Sequence, residues 1–265
     1  MGDIVLLNAV IIVLREVIEA SLIISLFLAF SQRFNHGRPW LLNTFLLGLI
    51  GAAIYAFNIE QLSQSFDGVG QELTNAGIQI IIYLVLLVFL MTAMRRPLTA
   101  FDSILITIMM IIGVVFAAVR EGSEIIIYIH GFVTVPDLLE SVLLGSAIGA
   151  GIGVSIGICI YYLLINMPVK ISAKVGYLLI VLLAGSMISQ TVQQLTQADW
   201  IVSQYPLWDT STWISEHSVT GQLLYAVIGY EATPTAIQVT AYLLALLFII
   251  LLSGYSWNYN RRLQK

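Results

Sequence analysis

Apolar runs too long for the helices of a soluble domain alternate with short polar breaks along the whole chain. Seven of them, at about 4–30, 40–59, 73–94, 104–130, 138–166, 174–196 and 236–257, reach the ~20 residues that a helix needs to cross a hydrocarbon core of about 30 Å. Backbone N–H and C=O groups in lipid must be paired within their own segment, so the runs predict helices and not open strands. The alternation over about ten residues that marks a membrane barrel does not occur. The expected fold class is an all-α polytopic membrane protein with seven transmembrane helices, folded as a single transmembrane domain over residues 1–265.

Composition supports the same class. Of 265 residues, 59% are apolar and 10% charged, and the mean hydropathy is +0.94, values that a soluble domain with a polar exterior does not reach. The first run follows Met1-Gly2-Asp3 without a basic segment or a small-residue cleavage site, and is expected to be a retained helix and not a signal peptide. The only cysteine, Cys159, falls within the fifth run. It is expected to be a buried small apolar residue, since one thiol supplies neither a disulfide framework nor a thiolate metal cluster.

Charge gives the orientation. Nine of the eleven basic residues occupy four places: Arg33 and Arg38, Arg95 and Arg96, Lys170 and Lys174, and Arg261, Arg262 and Lys265. All four lie on one side of a seven-helix topology. The other side carries Asp3, Glu60, Asp67, Glu72, Asp137, Glu140, Asp199, Asp209, Glu216 and Glu231, with no Lys or Arg. The positive-inside rule then places the N-terminus outside and the C-terminus in the cytoplasm. No nucleic-acid partner is expected from basic residues so few and so dispersed.

Two arginines remain, and both sit inside apolar runs. Arg15-Glu16-Val17-Ile18-Glu19 and Arg120-Glu121-Gly122-Ser123-Glu124 repeat one pattern, Arg-Glu-x-x-Glu, at an offset of 105 residues. That offset is three helices, an odd number, so helices 1–3 (about 1–96) and 4–6 (about 97–197) form an inverted repeat, followed by an extracytoplasmic connection over about 197–235 and helix 7 over about 236–257. Transporters built in this way carry their substrate site near the midplane between the repeats. At about 100° per residue the glutamates at i and i+3 share a face, and the arginine reaches the second glutamate at i+4. A charge at the bilayer centre costs about 2.5 to 3.5 kcal/mol on insertion scales, so six are tolerated only where they pair and line a polar path. Glu16, Glu19, Glu121 and Glu124 are therefore expected to converge near the midplane. Carboxylate oxygens suit a hard cation such as Mg, Ca, Mn or iron. Arg15 and Arg120 would bring the formal charge of the empty site from minus four to minus two, and an arriving cation would displace the Arg-Glu pairing, a gate.

With these motifs the chain resembles the oxidase-dependent iron permeases, the family of the fungal ferroxidase-coupled permeases and the bacterial EfeU-type iron transporters. Members typically carry Arg-Glu-Gly-Leu-Glu in helices 1 and 4, matching Arg15 to Glu19 and Arg120 to Glu124. The chain is similar to them also in Gln71-Glu72-Leu73 before helix 3, in Arg95-Arg96 after it, and in Gly229 to Pro234 before helix 7. The resemblance implies uptake of iron, Fe3+ or Fe2+, as substrate across the plasma membrane, the inner membrane in a bacterium, with the four motif glutamates as ligands. It also implies a partner, an extracytoplasmic ferroxidase or iron-delivery protein, and no permanently bound cofactor. The family's second acidic residue at the start of helix 3 is Asn75 here, so Glu72 and Asn75 together offer two oxygens to an outer vestibule, with Asp67, Asp209 and Glu231 nearby on the same side.

Other features read as structure. Gly145, Gly149, Gly153 and Gly157 form a stripe for close helix packing. Trp200, Trp208 and Trp213 read as interfacial anchors, and the acidic 197–235 connection, which includes His217, is long enough for a short helix or re-entrant piece. Met109, Met110 and Met187 are expected to fill the core, and Tyr128 and His130 to make local hydrogen bonds. Two other functions fit in part. A different divalent-cation or proton-coupled carrier would also use the carboxylates; an intramembrane lipid pyrophosphatase would need a phosphate-binding signature, which the chain lacks.

Overall fold

The computed structural model describes residues 2–34, 39–95, 98–216 and 218–263, with side chains through Ser256. Arg38, Arg96, His217 and Lys265, the side chains of Arg261 and Arg262, and the expected repeat boundary at 96 and 97 lie outside the described residues.

Each apolar run is a helix. These are α1 (Gly2–Arg33), α2 (Pro39–Phe57), α4 (Gly70–Ala93), α5 (Ala100–His130), α6 (Pro136–Asn166), α7 (Val169–Gln197) and α9 (Ala236–Leu263). Two further helices lie in the polar breaks, α3 (Ile59–Ser63) and α8 (Val219–Ile228). Six helices, α2, α4, α5, α6, α7 and α9, are long and apolar enough to cross a membrane. At 32 residues α1 is the longest, but Arg15, Glu16 and Glu19 at its centre leave it no long uncharged stretch, whereas the same pattern in α5 lies toward the C-terminal end of that helix.

Helix ends follow local chemistry. α5 starts at a capping box, in which Thr99 Oγ1 accepts from Asp102 N (3.1 Å) and Asp102 Oδ2 accepts from Thr99 N (3.0 Å). α8 starts where Ser218 Oγ accepts from Gly221 N at 3.0 Å. It stops at Gly229, whose φ of 69° is the left-handed conformation that glycine adopts without strain.

The helices pack as α1 on α6, α2 on α5 and α4 on α7, with α1 also touching α5 and α4 also touching α5. The glycine stripe of α6 is the seam against α1. A Cβ at Gly145 would lie 2.5 Å from Leu6 O, and one at Gly149 2.6 Å from Val10 O. The bare backbone is then within reach of hydroxyls, and Ser21 and Ser25 of α1 donate to the carbonyls of Gly153 (3.2 Å) and Gly157 (2.7 Å). α2 meets α5 in the same manner, Gly48 lying beneath Ala118 and Gly51 beneath Val119.

Phe27, Phe89, Ile82, Ile106, Met110 and Met187 fill the core, with Met109 packed against it. Cys159 is exposed, which corrects the expectation of a buried thiol: α6 buries its glycine face, and two residues at about 100° each carry Cys159 to the opposite side of the helix from Gly157.

Candidate functional site

α1 and α5 cross where their motifs lie, and the two Arg-Glu-x-x-Glu patterns meet there. Within each motif the arginine reaches its own second glutamate, Arg15 Nε to Glu19 Oε1 at 3.4 Å and Arg120 Nε to Glu124 Oε1 at 3.8 Å, as i,i+4 spacing demands. Between motifs Arg120 does more. Its Nη1 donates both to Glu19 Oε2 of α1, at 3.0 Å, and to the neighbouring Glu121 Oε1. One guanidinium therefore ties the first motif to the second.

Most of the network is buried. Glu16, Glu19, Arg120 and Glu121 are all buried, while Glu124 keeps 27% of its side chain exposed and Arg15 31%. The Glu16 carboxyl lies against that of Glu121, and Oε2 of each is buried without a donor. Among the described residues, no three His, Cys, Asp or Glu side chains are gathered into a metal cage; the carboxylates are interleaved with guanidiniums instead. Beside them a crevice of about 390 Å³ opens between α1, α2, α5 and α6. It is apolar apart from Glu121, Ser21, Ser25 and Tyr161.

The two arginines are held differently. Arg120 is enclosed by carboxylates, whereas Arg15 lies over the ring of Tyr225 in α8, 4.2 Å from its centroid, a cation–π contact. α8 packs on both α1 and α7 and so supplies this partner from the 197–235 connection. Burial pushes the Tyr225 hydroxyl well above its ordinary pKa.

Three further residues complete the network, and motif reading missed them. Gln190 of α7 donates through Nε2 to Glu19 Oε2 (3.2 Å) and to Ser186 Oγ (3.3 Å). Gln79 of α4 donates to Gln190 Oε1 at 3.0 Å. Both amides are buried. Their signal in the sequence was present but weak: an amide inside an apolar run must find a partner in the protein.

The residues expected at an outer vestibule are spread over several positions. Glu72 stands in the first turn of α4 with Oε2 buried and unpaired. Asn75, one turn on, is buried and accepts from Tyr55 Oη at 2.9 Å. Tyr55 also lies within electrostatic reach of Glu72 and Glu124. Asp67 is exposed in a tight turn at φ 62°, and Asp209 is exposed with Oδ1 accepting from Ser211 N at 2.9 Å; the Ser211 hydroxyl, with this N–H second, lowers its pKa. Glu231 is half-buried and accepts from Gln238 Nε2 at 2.9 Å. Burial, with the nearby Glu216 carboxylate second, pushes its pKa up to about 7. Tyr225 lies within reach of both Glu231 and Glu19. Tyr128 packs edge-on against Phe132.

Neither a curated protein nor a solved structure matches the chain. The sequence model of the Iron permease FTR1 family matches it over residues 6–263. That span contains both Arg-Glu-x-x-Glu motifs and every residue of the network they form. A multi-pass membrane protein and not an enzyme, the chain belongs to the iron permease FTR1 family.

Proposed function

We propose that the protein imports iron through the network at the α1–α5 crossing, with Glu16, Glu19, Glu121 and Glu124 as successive ligands and Arg15 and Arg120 as the counter-charges that iron displaces. The observation that carries this reading is Arg120 bonded at once to Glu19 of one motif and Glu121 of the other. Four carboxylates held by two guanidiniums carry a formal charge of minus two, so a cation is attracted, and each Arg-Glu contact it breaks is replaced by an oxygen–metal contact. Hard oxygen donors favour ferric ion, supplied after oxidation by a partner on the outer side.

α1 is then the seventh span, tolerated in the membrane because its charges pair with those of α5. The N-terminus is outside and the C-terminus cytoplasmic, in the plasma membrane, the inner membrane of a bacterium. The helix pairs support an inverted repeat. Exchanging α1, α2 and α4 for α5, α6 and α7 turns α1 on α6 into α2 on α5, and leaves α4 on α7 unchanged. Iron approaches past Glu72, Asn75 and Asp67 on one side and Asp209 and Glu231 on the other, with no resident cofactor.

The test is uptake of radioactive iron, presented as ferrous and as ferric ion, into proteoliposomes of the native chain, Glu19→Ala and Glu124→Ala. Loss of uptake in both variants is expected, and native flux in both would sink the reading. The same comparison with manganese separates an iron permease from a general divalent carrier.

A further inference from the structure

The two buried amides extend the network beyond the motifs. Glu19 is an acceptor only, holding Arg15 at one oxygen and Arg120 at the other. Gln190, which shares Oε2 with Arg120, must therefore face Glu19 with its NH2. Its carbonyl oxygen is thereby turned to α4, where it accepts from Gln79 Nε2 at 3.0 Å. The Gln79 amide has no choice left. Its nitrogen is committed to Gln190, and its own Oε1 is buried without any donor.

A fully buried amide oxygen without a partner costs about 1 to 3 kcal/mol, yet Gln79 is 0% exposed. Reversal of the amide would not relieve this, because it would set two carbonyl oxygens against each other. The anionic Glu19 thus dictates, through Gln190, where the Gln79 oxygen is aimed. We infer that Gln79 Oε1, two hydrogen bonds from Glu19, is a neutral oxygen ligand for the permeating iron, oriented by the Glu19–Gln190–Gln79 chain. A carbonyl oxygen is a hard donor that adds no charge and needs no deprotonation. It therefore takes part of the coordination without deepening the well that a fifth carboxylate would make.

The inference rests on the proposed path through Glu19, and the experiment separates the two. Initial rates of iron uptake into proteoliposomes are measured against concentration for the native chain, Glu19→Ala, Gln79→Met and Gln190→Met, with manganese as a second substrate. Gln79→Met keeps length and removes the oxygen; Gln190→Met breaks the chain but leaves the Gln79 oxygen in place, unoriented. The expected result is no uptake for Glu19→Ala, a KM for iron raised roughly tenfold in Gln79→Met, a smaller rise in Gln190→Met, and a changed iron-to-manganese ratio in Gln79→Met alone. If the amides only hold α4 on α7, the two glutamine variants will share one KM and one metal ratio, and the inference falls while the path stands. Native kinetics in Gln79→Met have the same meaning. Native uptake by Glu19→Ala overturns both. Should Gln79→Met fail to reach the membrane, Gln79→Asn draws the oxygen back by one methylene with the amide intact, and the same KM and metal-ratio criteria decide.

Discussion

Arg120 is 2% exposed and its charge is permanent, since a guanidinium keeps its proton throughout the physiological range. Glu121 is tolerated in the buried interior because of it, and Glu19 because of it together with Arg15. Arg120→Met should strand Glu121, leave Glu19 with Arg15 and Gln190 alone, and cost about 3 to 5 kcal/mol, the range for breaking a buried pair; denaturation in detergent measures the loss. Arg15→Met should cost less, about 1 to 3 kcal/mol, because Glu19 keeps Arg120 while the buried Glu16 loses its cation. A second prediction concerns Glu231. Its carboxyl titrates at 4.5 when free and at about 7 in the fold. Between those values the unfolded chain binds fewer protons than the folded one, so this group's stabilising contribution is complete below the lower value and is lost as pH rises through the upper one. The thermal midpoint should fall between about pH 5 and pH 7.5, and Glu231→Gln should flatten that part of the profile. The sequence was legible here wherever spacing sets the contact: Arg15 to Glu19 follows from i,i+4 geometry alone. Arg120 to Glu19 does not, because only the crossing of α1 and α5 decides which guanidinium enters the centre. Gln79 and Gln190 were illegible as a pair, since their meeting depends on α4 packing on α7.

At the scale of elements, hydrophobic runs located the seven long helices to within a few residues, with α9 extending to Leu263 beyond the expected 257. The reason is that lipid-compatible length and backbone pairing are properties of the run itself. α3 and α8 were not delineated. Each is short, and α8 is helical because it packs its apolar side on α1 and α7, which no local pattern announces. The glycine stripe of α6 was legible as a packing face, and it makes a sharp prediction. Gly149→Ala would place a methyl 2.6 Å from Val10 O and 3.0 Å from Leu14 N, both backbone atoms that cannot turn aside. α6 must move off α1, at about 1 to 3 kcal/mol. Gly151→Ala, where nothing lies within 4 Å, should be neutral or slightly stabilising through helix propensity. Thermal melting of the two variants side by side checks the contrast.

For the whole molecule the charge bias predicts sidedness, and labelling can read it. In a Cys159→Ser background, a cysteine at Asp209 should react with an impermeant maleimide added to intact cells, and one at Lys170 only after the membrane is opened. The reverse pattern would invert the topology. The expected sidedness rests on Lys and Arg alone, which respond to the membrane as a whole; the inward or outward position of any one side chain was not legible, as Cys159 shows. Its position has a practical consequence. The chain contains a single thiol, and it points away from the α1–α6 seam, so the native protein accepts one spin label without any engineered cysteine. In dilute membranes an isolated chain gives no dipolar signal between labels, whereas copies that associate give one defined distance. The exposed sulfur of α6 is thus a built-in gauge of assembly.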